Sequence, residues 1–261
     1  MTALRVGLNV LQSNFDVLHT GDLLDEHYIN SFADSEILLQ SYHSIYIDVV
    51  EEDLPRRPTL LCYNNHLLYY YIIKQKLAWM PDVKFILVDA HQELLDERLN
   101  SCSFLRHLIE EGVLHSGNLL LLGVRVHDAD DYILKHQIIQ YTTEQWFRDR
   151  NVLARIKEWV GGAPVYVSVD IDVLDASIAP GCVDPEPNGV SAMHVCELLW
   201  DFASERVVGF DLAEVDLSKD NPYRTTYDAA KAILRTMHTV LCLAKSPHLG
   251  ADHTTTQQAG K

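Results

Sequence analysis

Lys84-Phe85-Ile86-Leu87-Val88-Asp89-Ala90-His91-Gln92-Glu93 is the stretch on which the fold turns. A short, mostly apolar run leads without a break into three ionisable side chains. A run of this length, rich in β-favouring residues, predicts a strand buried on both faces, as in a parallel sheet. Charge at the end of a buried strand is costly unless something pairs with it. The same design recurs in Val165-Tyr166-Val167-Ser168-Val169-Asp170-Ile171-Asp172. Two buried strands thus end in five ionisable side chains, and a divalent cation would remove the cost.

Outward from these runs, further strands are expected at 4–10, 44–50, 59–63, 118–124 and 207–215. Helical stretches fall at 66–77, 103–111, 143–159, 191–204 and 228–244. In the last, Ala229, Ile233, Met237, Val240 and Leu241 recur at helical spacing. Gly161-Gly162-Ala163-Pro164 stops one helix and leads into the next strand. Alternating strands and helices predict an α/β fold, a three-layer α/β/α sandwich with a mainly parallel central sheet. One domain is expected over residues 1–261, with a frayed polar tail at about 253–261.

The chain has 261 residues, 48% of them hydrophobic, enough for a sizeable core. No run of about 18 apolar residues is present, so no membrane partner is expected. The first residues lack the layout of a signal peptide. Five scattered cysteines without a CxxC pair fit a reduced, cytoplasmic protein. A formal charge of −16 argues against a nucleic-acid partner and suits a cationic small molecule or basic peptide, or serves solubility alone.

Ligands of a parallel sheet bind at the carboxyl ends of its strands. Both acidic runs lie at such ends, as do Tyr63-Asn64-Asn65-His66 and Glu214-Val215-Asp216. Asp89, His91 and Glu93 are spaced i, i+2, i+4, which in extended chain places them on one face. Asp170 and Asp172 repeat the interval, and His66 would complete the set from a neighbouring strand. Carboxylates with some imidazole favour manganese, iron(II) or magnesium over structural zinc. Four carboxylates can hold two such cations, which together can make water a nucleophile at neutral pH. A DxD pair alone also occurs in calcium loops and surface turns, so the order of the motifs after their strands carries the reading.

Asp89-Ala90-His91-Gln92-Glu93 resembles the DAHxD motif of the ureohydrolases, the superfamily of arginase and agmatinase. The stretch from Ser168 to Gly181 is similar to their S-x-D-x-D-x-x-D-P-x-x-x-P-G signature, and Asp211-Leu212-Ala213-Glu214-Val215-Asp216 to their D-x-x-E-x-N segment. Asn65-His66 sits where their first ligand histidine lies, and the stretch from Gly123 to Lys135 resembles the one after their middle strand. The resemblance implies two Mn2+, with other divalent metals also admissible. It assigns Asp89 and Asp170 as bridging ligands, His66 and Glu93 to one ion, and His91 and Asp172 to the other. Glu214 would bind the guanidinium and Asp172 would handle a proton. Asp128 and Asp131 would lie at the substrate-binding end. His107 falls about where a shuttle histidine would lie, with a surface or cap histidine as the alternative.

The chain departs from the pattern at Glu93 for aspartate, at Tyr63-Asn64-Asn65 for Gly-Gly-Asp, at Ala176 for proline, at Asp184 for threonine and at Asp216 for asparagine. The polar loop with which arginases hold the α-amino and α-carboxylate groups of free arginine has no counterpart at 94–104. A substrate whose α groups lie in peptide bonds would not need it. The chain therefore resembles the peptide arginases, which turn arginine residues of a peptide into ornithine. Free arginine, agmatine or another guanidino or formimino compound is the alternative substrate. A deacetylase would need a His-His pair, which is missing; a non-catalytic relative, or assembly with further copies of the chain, stays open.

Overall fold

In the computed structural model, residues 59–62 and 66–244 are described; the strands expected at 4–10 and 44–50, residue 63 of the third, and the tail at 253–261 lie outside them. The apolar runs form β1 (Thr59–Cys62), β2 (Lys84–Val88), β3 (Leu119–Val124), β4 (Ile139–Thr142), β5 (Pro164–Asp170) and β6 (Arg206–Ala213). These six pair in parallel, in the order β1-β6-β5-β2-β3-β4. Helices α1 (Leu67–Trp79), α2 (Phe104–Glu110), α3 (Asp130–His136), α4 (Thr143–Arg148), α5 (Val152–Val160), α6 (Ala192–Asp201) and α7 (Thr225–Leu243) connect them.

Both faces of the sheet are covered. Ile86, Val88, Leu120, Leu122, Val167 and Val169 pack with α5, α6 and α7, while Phe85, Leu87, Leu119 and Leu121 pack with α1, α2 and α3. Alternate residues of one strand thus enter opposite cores, which is why the central strands read as mostly apolar runs. The α/β/α layering follows. Among the described residues no helix is long and apolar enough to cross a membrane, and all five cysteines are free.

Two local expectations change. The helix expected at 143–159 is split at Asp149, which pairs with Arg155 and accepts the Asn151 N–H, so α4 ends and α5 begins there. The edge strand β4 and the short helix α3 were not anticipated; β4 has four half-buried residues and no apolar run.

The register places the acids. Val88 pairs with Val169, so Asp89 and Asp170 leave adjacent strands side by side. Asp170 pairs with Ala213, which brings Glu214 alongside. Gly123, on the other side of β2, has φ +99°, and a Cβ there would lie 2.6 Å from Val173 Cγ2 and 3.2 Å from the Asp89 carbonyl oxygen. A side chain would push on both acidic runs at once. Gly123→Ala should cost about 2–4 kcal/mol, from left-handed strain plus overpacking, read as a lowered midpoint in urea denaturation.

Candidate metal centre

Each site residue stands where a strand has just run out. Asp89 follows β2, Asp170 ends β5, and Asp172 lies in the 3-10 turn Ile171–Val173. His66 caps α1 after β1, and Glu214 follows β6. The single face expected of an extended 89–93 run does not form, because β2 stops at Val88 and the chain bends. Glu93 and Glu214 both have φ 57°, two of the five described non-glycine residues with positive φ. Backbone strain of this kind gathers at functional sites and is held by its surroundings.

Two groups of ligand atoms form. Potential donors of His66, Asp89 and Asp170 all lie within 4.8 Å of one another, as do those of Asp89, His91 and Asp172, so Asp89 belongs to both. His66 Nδ1 is 3.3 Å from Asp170 Oδ2. His91 Nδ1 is 2.9 Å from Asp172 Oδ2 and 3.5 Å from Asp89 Oδ1. Backbone amides set the carboxylates: the Ala90 N–H donates to Asp172 Oδ1 at 3.2 Å, the His91 N–H to Asp89 Oδ1 at 2.7 Å and the Asp172 N–H to Asp170 Oδ1 at 2.8 Å. The His66 N–H donates to Glu214 Oε1 at 2.8 Å, which ties the ends of β1 and β6 together.

The electrostatics are those of a site short of positive charge. Burial, then repulsion from Asp172, lifts Asp89 to about 7. Burial raises Glu214 to about 8 although the His66 amide works against it. Glu93 and Asp170 are raised as well, by burial first and by neighbouring carboxylates second. Burial lowers His66 to about 4, leaving a neutral imidazole at pH 7. Burial also opposes protonation of His91, but hydrogen bonds to Asp172 and Asp89 outweigh it and hold that imidazole at about 11. Asp89 Oδ2 and Glu93 Oε2 are buried without a hydrogen-bond partner. Unsatisfied carboxylate oxygens beside a neutral imidazole, with no thiolate in either group, fit hard or borderline divalent cations.

The remaining candidates fall around this centre. Glu93 is buried beside Asp89 but enters neither group of three. Asp128 and Asp131 are exposed, on the loop after β3 and in the first turn of α3. His107 is half-buried on α2, with Nε2 3.0 Å from the Glu97 carbonyl oxygen, outside both groups. Asp184, 75% exposed, reaches to 3.5 Å from His91 Nε2 and with Glu186 forms a third, outer group around it.

Two further contributors, one buried and one half-buried, carry no spacing signature. Gln92, fully buried, accepts the Ala129 N–H at 2.6 Å and donates to Asp130 Oδ1 and Gln140 Oε1, each at 2.7 Å. It fastens the metal run to the loop carrying Asp128. Arg125 binds the backbone of the second acidic run; the only signal either residue gives in sequence is its place beside a motif.

A model of the arginase family matches residues 65–239. The chain is 28% identical over 197 residues to a mitochondrial arginase 1 of Arabidopsis thaliana, a match covering 72% of this chain and 54% of that protein. It therefore spans about half the length of that relative. The structure of proclavaminate amidino hydrolase from Streptomyces clavuligerus superposes with a TM-score of 0.70 at 25% identity, covering 80% of this chain and 71% of that one. An arginase from Bacillus caldovelox shares the fold with a TM-score of 0.73 at 16% identity, over 92% of this chain and 90% of that one. With its ligand-bearing strand ends inside the matched residues, the chain belongs to the arginase family.

Proposed function

We propose that this chain is a hydrolase of guanidino groups that releases urea and works with two Mn2+. The observation that carries the reading is the pair of His/Asp groups sharing Asp89. His66, Asp89 and Asp170 would hold one ion, and Asp89, His91 and Asp172 the other, with Glu93 close by. Bound there, the cations supply Lewis acidity and a nucleophilic water at neutral pH. The chain's own groups do the rest. Glu214 offers the guanidinium a charge-assisted carboxylate contact. Asp172, 2.9 Å from His91 Nδ1, would accept a hydrogen bond from the attacking water and pass a proton onward. Hydrolysis adds water across the guanidino C–N bond: the carbon leaves in urea, and the nitrogen stays behind as an amine that takes up a proton. His107 would have to leave the Glu97 carbonyl to supply that proton.

The favoured substrate is an arginine residue within a peptide, which would become ornithine. The stretch after Glu93 supports this choice. It is a short loop closed on itself by the Leu95 N–H to the Cys102 carbonyl at 3.0 Å. Nearby, Asp128, Asp131 and Asp184 are exposed acids, suited to a cationic chain. The names of the relatives, an arginase and a proclavaminate amidino hydrolase, favour a small guanidino compound as the second reading. With Mn2+ present, urea release should be at least tenfold greater in kcat/KM, about 1.4 kcal/mol, for an arginine-containing peptide than for free arginine or agmatine. The reverse order would select the small-molecule reading.

A further inference from the structure

Arg125 follows β3, and every hydrogen bond from its guanidinium goes to a neutral oxygen. It donates to the Asp172 carbonyl at 2.6 Å, the Val173 carbonyl at 3.1 Å, the Gly123 carbonyl at 3.2 Å and the Glu186 carbonyl at 3.4 Å. Thr143 Oγ1 accepts a further bond at 3.2 Å. Its own backbone N–H donates to the Ala90 carbonyl at 2.8 Å. A planar fork with five N–H donors is suited to fixing several carbonyls in one geometry.

These bonds fall on one side of the centre. The shortest grips the main chain of Asp172, whereas the Ala90 carbonyl is held by main-chain N–H groups alone, those of Arg125 and Val126. The guanidinium therefore holds one member of the second ligand group, Asp172, and the residue after it, while none of its bonds reaches His66, Asp89 or Asp170. We propose that Arg125 is a positioning residue that sets the place of Asp172 against Asp89 and His91, and so the affinity of the second cation, with little effect on the first. The inference rests on the metal reading above.

The test titrates Mn2+ into metal-free wild type, Arg125→Met and Arg125→Lys, followed by calorimetry and by electron paramagnetic resonance. Wild type should take two ions and give the spectrum of a coupled pair. Arg125→Met should bind one ion with wild-type affinity and the second about 10–100-fold more weakly, the usual cost of losing a group that orients metal ligands. At one equivalent of excess metal its spectrum should be that of an isolated ion. Arg125→Lys keeps the charge but reaches fewer carbonyls, so its second affinity should fall between the other two. Arg125→Lys also serves if Arg125→Met fails to fold. Equal weakening of both ions, wild-type affinities in both variants, or failure of Arg125→Lys itself to fold would overturn the proposal. A wild type that takes up no Mn2+ would remove the metal reading and this inference with it. Two ions in wild type with unchanged variants would remove this inference alone.

Discussion

Asp89→Ala should strip the protein of both cations rather than one, and take urea release with them. Asp89 is the residue common to the two ligand groups, and its second oxygen is buried with no protein partner. Removing it takes a donor from each ion and leaves His66–Asp170 and His91–Asp172 as separate pairs. Loss of Lewis-acid stabilisation worth several kcal/mol implies a fall in kcat of at least about a thousandfold, or about 4 kcal/mol. Elemental analysis after dialysis against Mn2+ should find near-zero metal in Asp89→Ala. Asp172→Ala, which touches one group only, should retain about one ion per chain. Two ions retained by Asp89→Ala would show that the groups do not share it.

The metal-free protein should lose stability as pH rises from 6 to 8, and Mn2+ should abolish the loss. The ordinary values of Asp89 and Glu214 are 3.8 and 4.5, and in the folded chain they move to about 7 and about 8. Through this window the folded state keeps protons that the unfolded chain has already released. When the native state binds more protons, stability falls with rising pH. His91, raised to about 11, acts in the same direction above its ordinary 6.5: its contribution is complete below that value and fades toward 11. His66, lowered to about 4, acts oppositely, but only below about 6.5. The metal-free melting temperature should therefore drop, with each kcal/mol worth about 2–4 °C in a chain of this size. Saturating Mn2+ binds the deprotonated ligands and should flatten the slope or reverse it. A metal-free melting temperature that climbs from pH 6 to 8 would contradict the assignment of buried, proton-holding acids.

What could be read in the amino-acid order was whatever depends on burial of both faces of a strand. β2, β3 and β5 are mostly apolar because each face meets its own layer of helices, and the ionisable residues at their carboxyl ends stand out against that background. β4 could not be found this way, since it is a half-buried edge with polar Gln140 and Thr142 in a run of four. The break between α4 and α5 depends on Asp149 capturing Asn151 and Arg155, a local competition that helical periodicity does not register. Within the site, Asp89, His91, Asp170 and Asp172 were legible from spacing. The bend that carries Glu93 into the left-handed region was not, because an i, i+4 interval looks the same in bent and extended chain. Arg125 and Gln92 were not either, since they act on main-chain atoms and loop partners far along the sequence.

The order of strands has a consequence for biosynthesis. β6 is the last of the described strands to leave the ribosome, yet it lies between β1 and β5. Until it arrives, β1 has no neighbour among the described strands, and His66 lacks the carboxylate that receives its amide 148 residues later. A nascent chain that has emerged only as far as α6 could assemble β5, β2, β3 and β4, and with them the ligands around His91, while His66 would not yet be fixed beside Asp89 and Asp170. Manganese uptake at the His66 side would then mark completion of the sheet, and ribosome-bound chains with residue 214 still enclosed by the ribosome and well clear of it should differ by that one ion.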